Sequence, residues 1–416
     1  MISSKTNKEF KIYCKIITFM DKPKTASHFW LIITLALLTM VGPFTIDTYL
    51  PSFPTIEAYY QVDRLMMSQS IAIYLIAAGI STLFWGALSD SIGRKIVIYG
   101  TLILYILASI GCVLSPEFSG FLFFRMLQGI AASGGMVVGR AIVRDAFDSA
   151  QAHRVMAYVM MVFAIAPAIA PIMGGYLQDS FGWKSVFYFL VAYGAIILLM
   201  SQRILPETLR DKDKVSFHPI SVLRVYCRTL KNRRFQATIF TLGLSFAGMF
   251  LYISGSPAII FDILQLRSNS FSYLFIPMTS GIVLGSFISG KLSHHLSATR
   301  IVTIAFGIMA VASLLNIAQL YLLQVSIFSV VAPLTLYAVG IAMHMPAITV
   351  LALDKFPQNR GSASAVQGFV QSLLATLVTA IIVPIIAFNL TNYVVAQVSF
   401  FVAALLLWLT ICFNSD

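Results

Sequence analysis

Acidic side chains are scarce in this chain. There are 16 Asp and Glu in 416 residues, and only 11% of the sequence carries any charge. A soluble protein carries about 25% charged residues, so a water-exposed globular domain is excluded. The four cysteines, Cys14, Cys112, Cys227 and Cys412, lie far apart. Without C-x-x-C or His/Cys clustering they suit neither a metal centre nor a redox pair, and free thiols are expected. Paired carboxylates, a nucleophile elbow and clustered ligands are also missing, so neither an enzyme nor a cofactor or metal is expected.

Hydrophobic residues make up 58% of the chain. They fall in twelve runs, each long enough to cross a bilayer: 29–50, 69–89, 96–114, 121–143, 155–178, 184–202, 236–260, 272–293, 300–320, 325–350, 362–388 and 392–412. A membrane β-barrel would show roughly ten-residue segments of alternating polarity instead. The fold class read from this is an all-α polytopic membrane protein. The Lys-rich start could belong to a signal peptide, but no small-residue cleavage site follows the first run, so a retained helix is expected.

The net charge of +12 would suit nucleic acid, but its location points elsewhere. Of 28 Lys and Arg, 23 fall in the N-terminal tail and in alternate loops, and only Arg64, Lys184 and Arg267 fall in the opposite loops. The positive-inside rule then predicts both termini in the cytoplasm and a multi-pass protein of the cytoplasmic (inner) membrane. The partners expected are the lipid bilayer and no nucleic acid. Arg125 and Arg140 alone lie inside spans.

Arg203 to Phe235 is the longest polar interruption and divides the spans six and six. The organisation expected is a basic cytoplasmic tail (1–28), a six-helix half (29–202), a central loop (203–235) and a second six-helix half (236–413). Within the loop, "ISVLRVYCRTLKNRRF" is basic and partly amphipathic. It could lie on the inner leaflet or be a solvated loop, and composition leaves both open. Two weak echoes relate the halves. "GALSDSIGRK" (Gly86 to Lys95) pairs with "GKLSHHLSAT" (Gly290 to Thr299), and "HRVMAYVMMVFA" pairs with "NRGSASAVQGFV". Together they fit the pseudo-symmetric halves of a secondary transporter with its site near the midplane. Nothing in the sequence calls for an oligomer, so a monomer is expected.

"GALSDSIGRK" places Asp90 at a helix C-terminus and Arg94 and Lys95 at the next N-terminus, each facing the wrong end of a macrodipole. Gly93 can supply the turn such a short link needs. A solvated polar turn is one reading, and contacts with other helices are the other. The fourth span, "RMLQGIAASGGMVVGRAIVRD", holds Arg125, which either snorkels or acts in function, with Gln128 one turn further on its face. The fifth, "AIAPAIAPIMGGYL", carries Ala166, Ala170 and Gly174 on one face, with Pro167, Pro171 and Gly175 on another, which allows close helix approach. Asp47 in "GPFTIDTYLPSFPTI" is an acid within an apolar run. It is either a cap where Pro51 and Pro54 break the helix or a proton carrier. His344 in "AMHMPAIT" is a packing histidine or a relay. Asn316 and Gln319 are expected to hydrogen-bond between helices.

The pattern G-x-L-x-D-x-x-G-R-K between spans two and three resembles the signature loop of the major facilitator superfamily. R-x-x-Q-G in span four and the Pro- and Gly-rich fifth span resemble that family's coupling and antiporter motifs. D-x-Y-L-P in span one, "YISGSP" in span seven and "RGSASA" before span eleven resemble its Bcr/CflA drug-resistance branch. The resemblance implies two pseudo-symmetric six-helix halves working by alternating access. Its implied partners are a small-molecule substrate and protons, exchanged by an exporter of small, partly hydrophobic drugs. It also implies a conformational latch of Gly86, Asp90, Gly93, Arg94 and Lys95 and a part for Arg125 in proton coupling, with Asp47 the candidate proton carrier. By residue type Tyr49, Gln128, Tyr252 and His344 are the candidates for a substrate cavity. An exporter or importer of a metabolite or siderophore is the alternative. In the second half His294 replaces the latch acid, which puts a symmetric latch in doubt.

Overall fold

The computed structural model describes residues 25–209, 219–322, 324–356 and 360–413; most of the basic tail and residues 210–218 of the central loop lie outside these. Among the described residues there are helices and turns and no strands, and twelve helices are long and apolar enough to cross a membrane. The first half comprises α1 (Thr25–Asp47), a 3-10 turn (Leu50–Ser52), α2 (Phe53–Tyr60), α3 (Arg64–Ile92), α4 (Arg94–Leu114), α5 (Phe118–Ala146), α6 (Ser149–Phe181) and α7 (Trp183–Ile204). Helix α8 (Pro219–Leu230) follows in the central loop. The second half comprises α9 (Arg233–Ser254), a π-turn (Ala258–Ile263), a 3-10 turn (Ser268–Phe271), α10 (Ser272–Leu292), α11 (Ala298–Leu322), α12 (Ile327–Leu353), α13 (Arg360–Leu377), a π-turn (Val378–Ile382), α14 (Val383–Ile386) and α15 (Leu390–Phe413).

These helices run beyond the apolar windows because a polar last turn can project out of the hydrocarbon while its backbone bonds stay satisfied. Thus α3 continues through Asp90 to Ile92, and α4 begins after the single residue Gly93. The break after α1 follows from Pro51 and Pro54, each seated at a helix start where its missing N–H costs nothing.

Packing repeats between the halves. In the first, α1 lies against α5, α6 and α7, while α5 also takes α3 and α4, and α4 packs on α7. In the second, α9 lies against α12, α13 and α15, while α12 also takes α10 and α11, and α11 packs on α15. Each contact recurs six spans later, which is the geometric content of the weak sequence echoes.

The halves meet along two seams. Helix α3 runs along α13 and its continuation, where Gly79 faces Ser372 and Gln69 Nε2 donates to the Ala380 carbonyl at 3.1 Å. Helix α6 meets α10 and the turn before it. The two faces read in the α6 sequence divide this work. Ala166 and Ala170 are fully buried, and a Cβ at Gly174 would sit 1.8 Å from the Thr48 carbonyl oxygen just after α1. Gly175 faces the other half instead, where a Cβ would sit 2.5 Å from the Ser268 carbonyl oxygen. Pro171 is buried beside it and Pro167 half-buried. Among the described residues α5 makes no extensive packing with a helix of the second half, nor α12 with one of the first. A central cleft lies between them.

The face carrying both chain ends is called here the terminal face, and the opposite one the far face. At the far face the turn Leu50–Ser52 packs on Ser268–Phe271. Arg64 pairs with Glu57 of its own half and with Asp262 of the other at 2.9 Å. Toward the terminal face the α6–α10 seam gives way to a wedge lined by Ala168, Ile276, Thr279 and Val283. The two halves are thus joined at the far face and part along this seam toward the terminal face.

Helix α8 departs from both readings of the central loop. It docks on α13, and Tyr226 Oη donates to the Leu83 carbonyl of α3 at 2.5 Å, so it touches both halves. Burial pushes the Tyr226 phenol up to about 12, which keeps it a neutral donor. Arg224 and Arg228 stay exposed. Cys112, Cys227 and Cys412 are free thiols, while Cys14 lies outside the described residues.

The close approach at Gly174 is testable. Gly174→Val drives a side chain into backbone that has no room to move, so overpacking of about 1–3 kcal/mol or more is expected. The yield of monodisperse protein in size-exclusion chromatography should fall sharply. Gly290→Ala, where nothing lies within 4 Å, should leave that yield unchanged.

Candidate functional site

The charged centre of the first half is built around Arg125, which is fully buried in α5. Its Nη1 donates to the Thr45 carbonyl at 3.2 Å and to Gln128 Oε1 at 2.8 Å, and its Nε donates to the Ser70 carbonyl at 3.3 Å. The guanidinium carbon lies 4.3 Å from the Tyr49 ring centroid and 4.9 Å from that of Tyr74. Its Nη2 has no hydrogen-bond partner. Snorkelling is ruled out, because the side chain is held in place by α1, α3 and its own helix. The close approach of α3 that this needs depends on Gly129, where a Cβ would sit 2.2 Å from the Tyr74 carbonyl oxygen.

Gln128 extends the network, its Nε2 donating to Ser109 Oγ of α4 at 2.8 Å. Tyr49 is fully buried, its hydroxyl 2.9 Å from Ser70 Oγ. Both therefore serve the interior of the half and do not line the cleft, a correction to the expected cavity.

Asp47 ends α1 at 4% exposure. It is no cap, since among the described residues its side chain forms no hydrogen bond, and beyond it the span runs on through a turn, a 3-10 turn and α2 to Tyr60. Thirteen residues separate it from that end of the span, roughly 20 Å at 1.5 Å per residue, so it lies deep in the span. Among the described residues no basic nitrogen comes within 4 Å of its carboxylate. Arg125 reaches the carbonyl of Thr45, two residues away, and not the acid itself.

In the second half α9, α11 and α15 are joined by amides. Asn316 Nδ2 donates to Tyr252 Oη at 2.8 Å and to Gln397 Oε1 at 3.0 Å, while Gln397 Nε2 donates to Ser313 Oγ at 3.0 Å. Asn316 thus makes the interhelical bonds expected of it, whereas Gln319 Nε2 bonds only Asn316 of its own helix and its Oε1 has no partner. Tyr252, at 1% exposure, is enclosed here and not in the cleft. His344 is fully buried with both ring nitrogens unpartnered, edge-on to Phe306 at 5.2 Å between centroids. It packs against α11 in the interior of the second half.

The expected latch acquires two members from distant sequence. Arg94 is nearly buried and binds Asp90 at 2.5 Å, Asp145 of α5 at 3.1 Å and Ser89 Oγ at 2.5 Å. The Glu207 carboxylate, just past α7, accepts from the backbone N–H of Arg94 at 3.1 Å and of Lys95 at 3.0 Å. Both dipole conflicts are resolved this way. Arg94 offsets the acid at the α3 C-terminus, and Glu207 places an anion on the α4 N-terminus. Gly93 has φ +110°, and a Cβ there would sit 2.9 Å from Glu207 Oε2, so glycine is required twice over. Gly86 faces Val137 of α5, and the Lys95 ammonium lies over the Tyr99 ring at 5.7 Å. Every partner belongs to the first half. The latch as it stands ties α3, α4, α5 and the end of α7 together and does not cross the cleft. Asp145 and Glu207 were missed because only the fold brings positions 51 and 113 residues away to Arg94.

Comparison with known proteins agrees with this architecture. The chain is 31% identical over 396 residues to an uncharacterised MFS-type transporter, YdgK, of Bacillus subtilis (strain 168), covering 93% of this chain and 96% of that one. It is 25% identical over 363 residues to a bicyclomycin resistance protein homolog of Haemophilus influenzae, covering 86% and 89%. Among solved structures, a D-xylose–proton symporter superposes with a TM-score of 0.71 at 13% identity, covering 91% of this chain and 97% of that one, which bears on the fold alone. The family model for the Major Facilitator Superfamily matches residues 35–380. With its twelve spans, paired halves and central cleft, this chain belongs to the Major Facilitator Superfamily of transporters.

Proposed function

We propose that this transporter is a proton-coupled exporter of small, partly hydrophobic compounds of the drug class. It would work by alternating access from the cytoplasmic membrane, as a monomer with both termini in the cytoplasm. The observation that carries the reading is Asp47, an acid deep in the first span with no base within 4 Å, two residues from the carbonyl that holds Arg125. The similarity to a bicyclomycin resistance homolog and the two-faced α6 support export over uptake.

The chain's residues divide the work. Asp47 carries the proton. Its neutral form sits in the apolar span without a counter-ion, and its carboxylate form draws on the unpartnered Nη2 of Arg125. Because Arg125 is bonded to the end of α1 and to α3, a shift of the guanidinium moves both helices at once. The far-face pair of Arg64 and Asp262 then parts as the terminal face closes. The first half moves as a rigid body because Arg94, Asp145 and Glu207 lock its terminal end. One proton entering through 100 mV supplies about 2.3 kcal/mol. That sustains roughly a 50-fold gradient of a neutral substrate exchanged one for one.

Two measurements test this. In proteoliposomes with an imposed pH gradient and a pH-sensitive dye, a drug panel should trigger proton movement in wild type that Asp47→Asn abolishes. A signal surviving in Asp47→Asn would move the proton site elsewhere. Asp145→Asn should slow turnover several-fold more than Asp90→Asn, because the Asp145 side chain is 20% exposed against 44% for Asp90. Full transport rates in both variants, at normal protein levels, would remove the latch from the mechanism.

A further inference from the structure

Arg140 is the second base inside a span, and the mechanism above does not use it. It lies on α5 fifteen residues nearer the terminal face than Arg125, about 22 Å along the helix and near the same helical face. The rotation of α5 is fixed by its small residues. Gly135 and Gly139 close on Leu38 and Leu35 of α1, Gly134 closes on Thr101 of α4, and Val137 meets Gly86 of α3. Arg140 is left in the slot between α1 and α3. The other sides of those two helices carry the seams to α6 and α13, so the slot opens onto the central cleft.

The side chain is solvent-exposed although protein surrounds it, as expected in a deep aqueous cleft and not at a lipid face. Among the described residues no carboxylate lies within 4 Å of it, and no hydrogen bond satisfies its donors. The described acids nearest this end are already engaged. Asp90 and Asp145 bind Arg94, and Glu207 binds the α4 amides. Asp148 accepts from the Gln151 amide, and Asp354 binds Arg360. Arg144, one turn nearer the mouth, is 71% exposed and only grazes Asp145 at 3.5 Å. Arg154, at the start of α6, is also exposed. Cations therefore line the approach from the terminal face, which concentrates anions in a cleft with low-dielectric walls.

A guanidinium is costly to place inside a span and tends to be retained there where it lines a pathway. Its planar fork matches a carboxylate or sulfonate in bidentate fashion. We propose that Arg140 is the binding residue for an anionic group on the transported compound, so that the substrates are amphipathic organic anions or zwitterions and not lipophilic cations. The half-buried Met136, one turn before it, offers an adaptable apolar surface to the rest of such a molecule. This inference rests on the export reading and narrows its substrate class.

The test uses the same proteoliposomes with three probe classes: cholate and 2-naphthalenesulfonate as anions, chloramphenicol as a neutral compound, and tetraphenylphosphonium as a cation. Wild type should couple proton movement to an anion at the lowest concentration. Arg140→Gln should raise the half-saturating anion concentration at least tenfold with the maximal rate nearly unchanged, and Arg140→Lys should recover part of the loss. Any response to the neutral probe should be the same in all three proteins. Coupling to the cation or neutral probe without any anion response overturns the anion site and keeps the exporter. An Arg140→Gln variant that is unchanged, or equally weakened for every class, also overturns it. Silence with all probes, from protein that elutes as a single peak, counts against the export reading itself.

Discussion

Arg125 brings a full positive charge into the interior of the first half without a carboxylate to neutralise it. Two backbone carbonyls, one amide oxygen and two aromatic faces take the place of a counter-ion. Much of the half is shaped by this requirement. The helix α3 must approach to backbone contact at Gly129 to offer its carbonyl, and α1 must end near Thr45 so that a carbonyl is free to turn inward. A buried guanidinium solvated by main chain makes helix position depend on charge. Whatever alters the field at the end of α1 alters the balance among those bonds.

The second half repeats the packing and omits the charge. Where the first half has Arg125 and Gln128, the second has Asn316, Gln319 and Gln397 around Tyr252. Amides and phenols can hold helices together by hydrogen bonds at low cost, but they leave nothing to titrate. The asymmetry divides two copies of one architecture, with a buried charge in one half and a neutral hydrogen-bonded network in the other. The latch follows the same division, since its acid, its base and its helix-terminus anion all lie in the first half and His294 occupies the corresponding position in the second.

How much of this was readable in the chain depends on the source of each signal. Membrane spans declare themselves by length, so the twelve helices and the division at Arg203 to Phe235 were legible, and errors were confined to polar end turns such as Asp90 to Ile92. The latch loop was legible because it breaks local dipole rules, which pointed to partners elsewhere without naming Asp145 or Glu207. The facing of individual side chains was not legible. A helix that is apolar all round carries no amphipathic stripe from which to read its inward side. Tyr49, Gln128, Tyr252 and His344 were assigned to a cavity on residue type alone, and all four turn into the interiors of the halves. Small residues held the missing information. Gly134, Gly135 and Gly139 fix the rotation of α5 against α4 and α1, but which neighbour each touches is known only once the bundle is assembled.

The two ends of the molecule are closed by different means, and this bears on how it can move. At the far face the halves are joined by packing of Leu50–Ser52 and α6 on Ser268–Phe271 and by an ion pair, Arg64 to Asp262, between partly hydrated side chains, the sort of charge contact that contributes little net stability and is readily exchanged for water. At the terminal face the comparable charges are spent inside one half, and the link between halves is apolar packing of α3 and α8 on α13 with one neutral hydrogen bond from Tyr226. Such packing tolerates rotation about its own axis better than separation. The seam along α3 and α13 therefore suits a pivot, with the far-face ion pair and the cleft mouth lying to either side of it. Rocking about that line would exchange the far-face pair for contacts between α5 or α6 and α12, helices that make no extensive packing with each other in this structure.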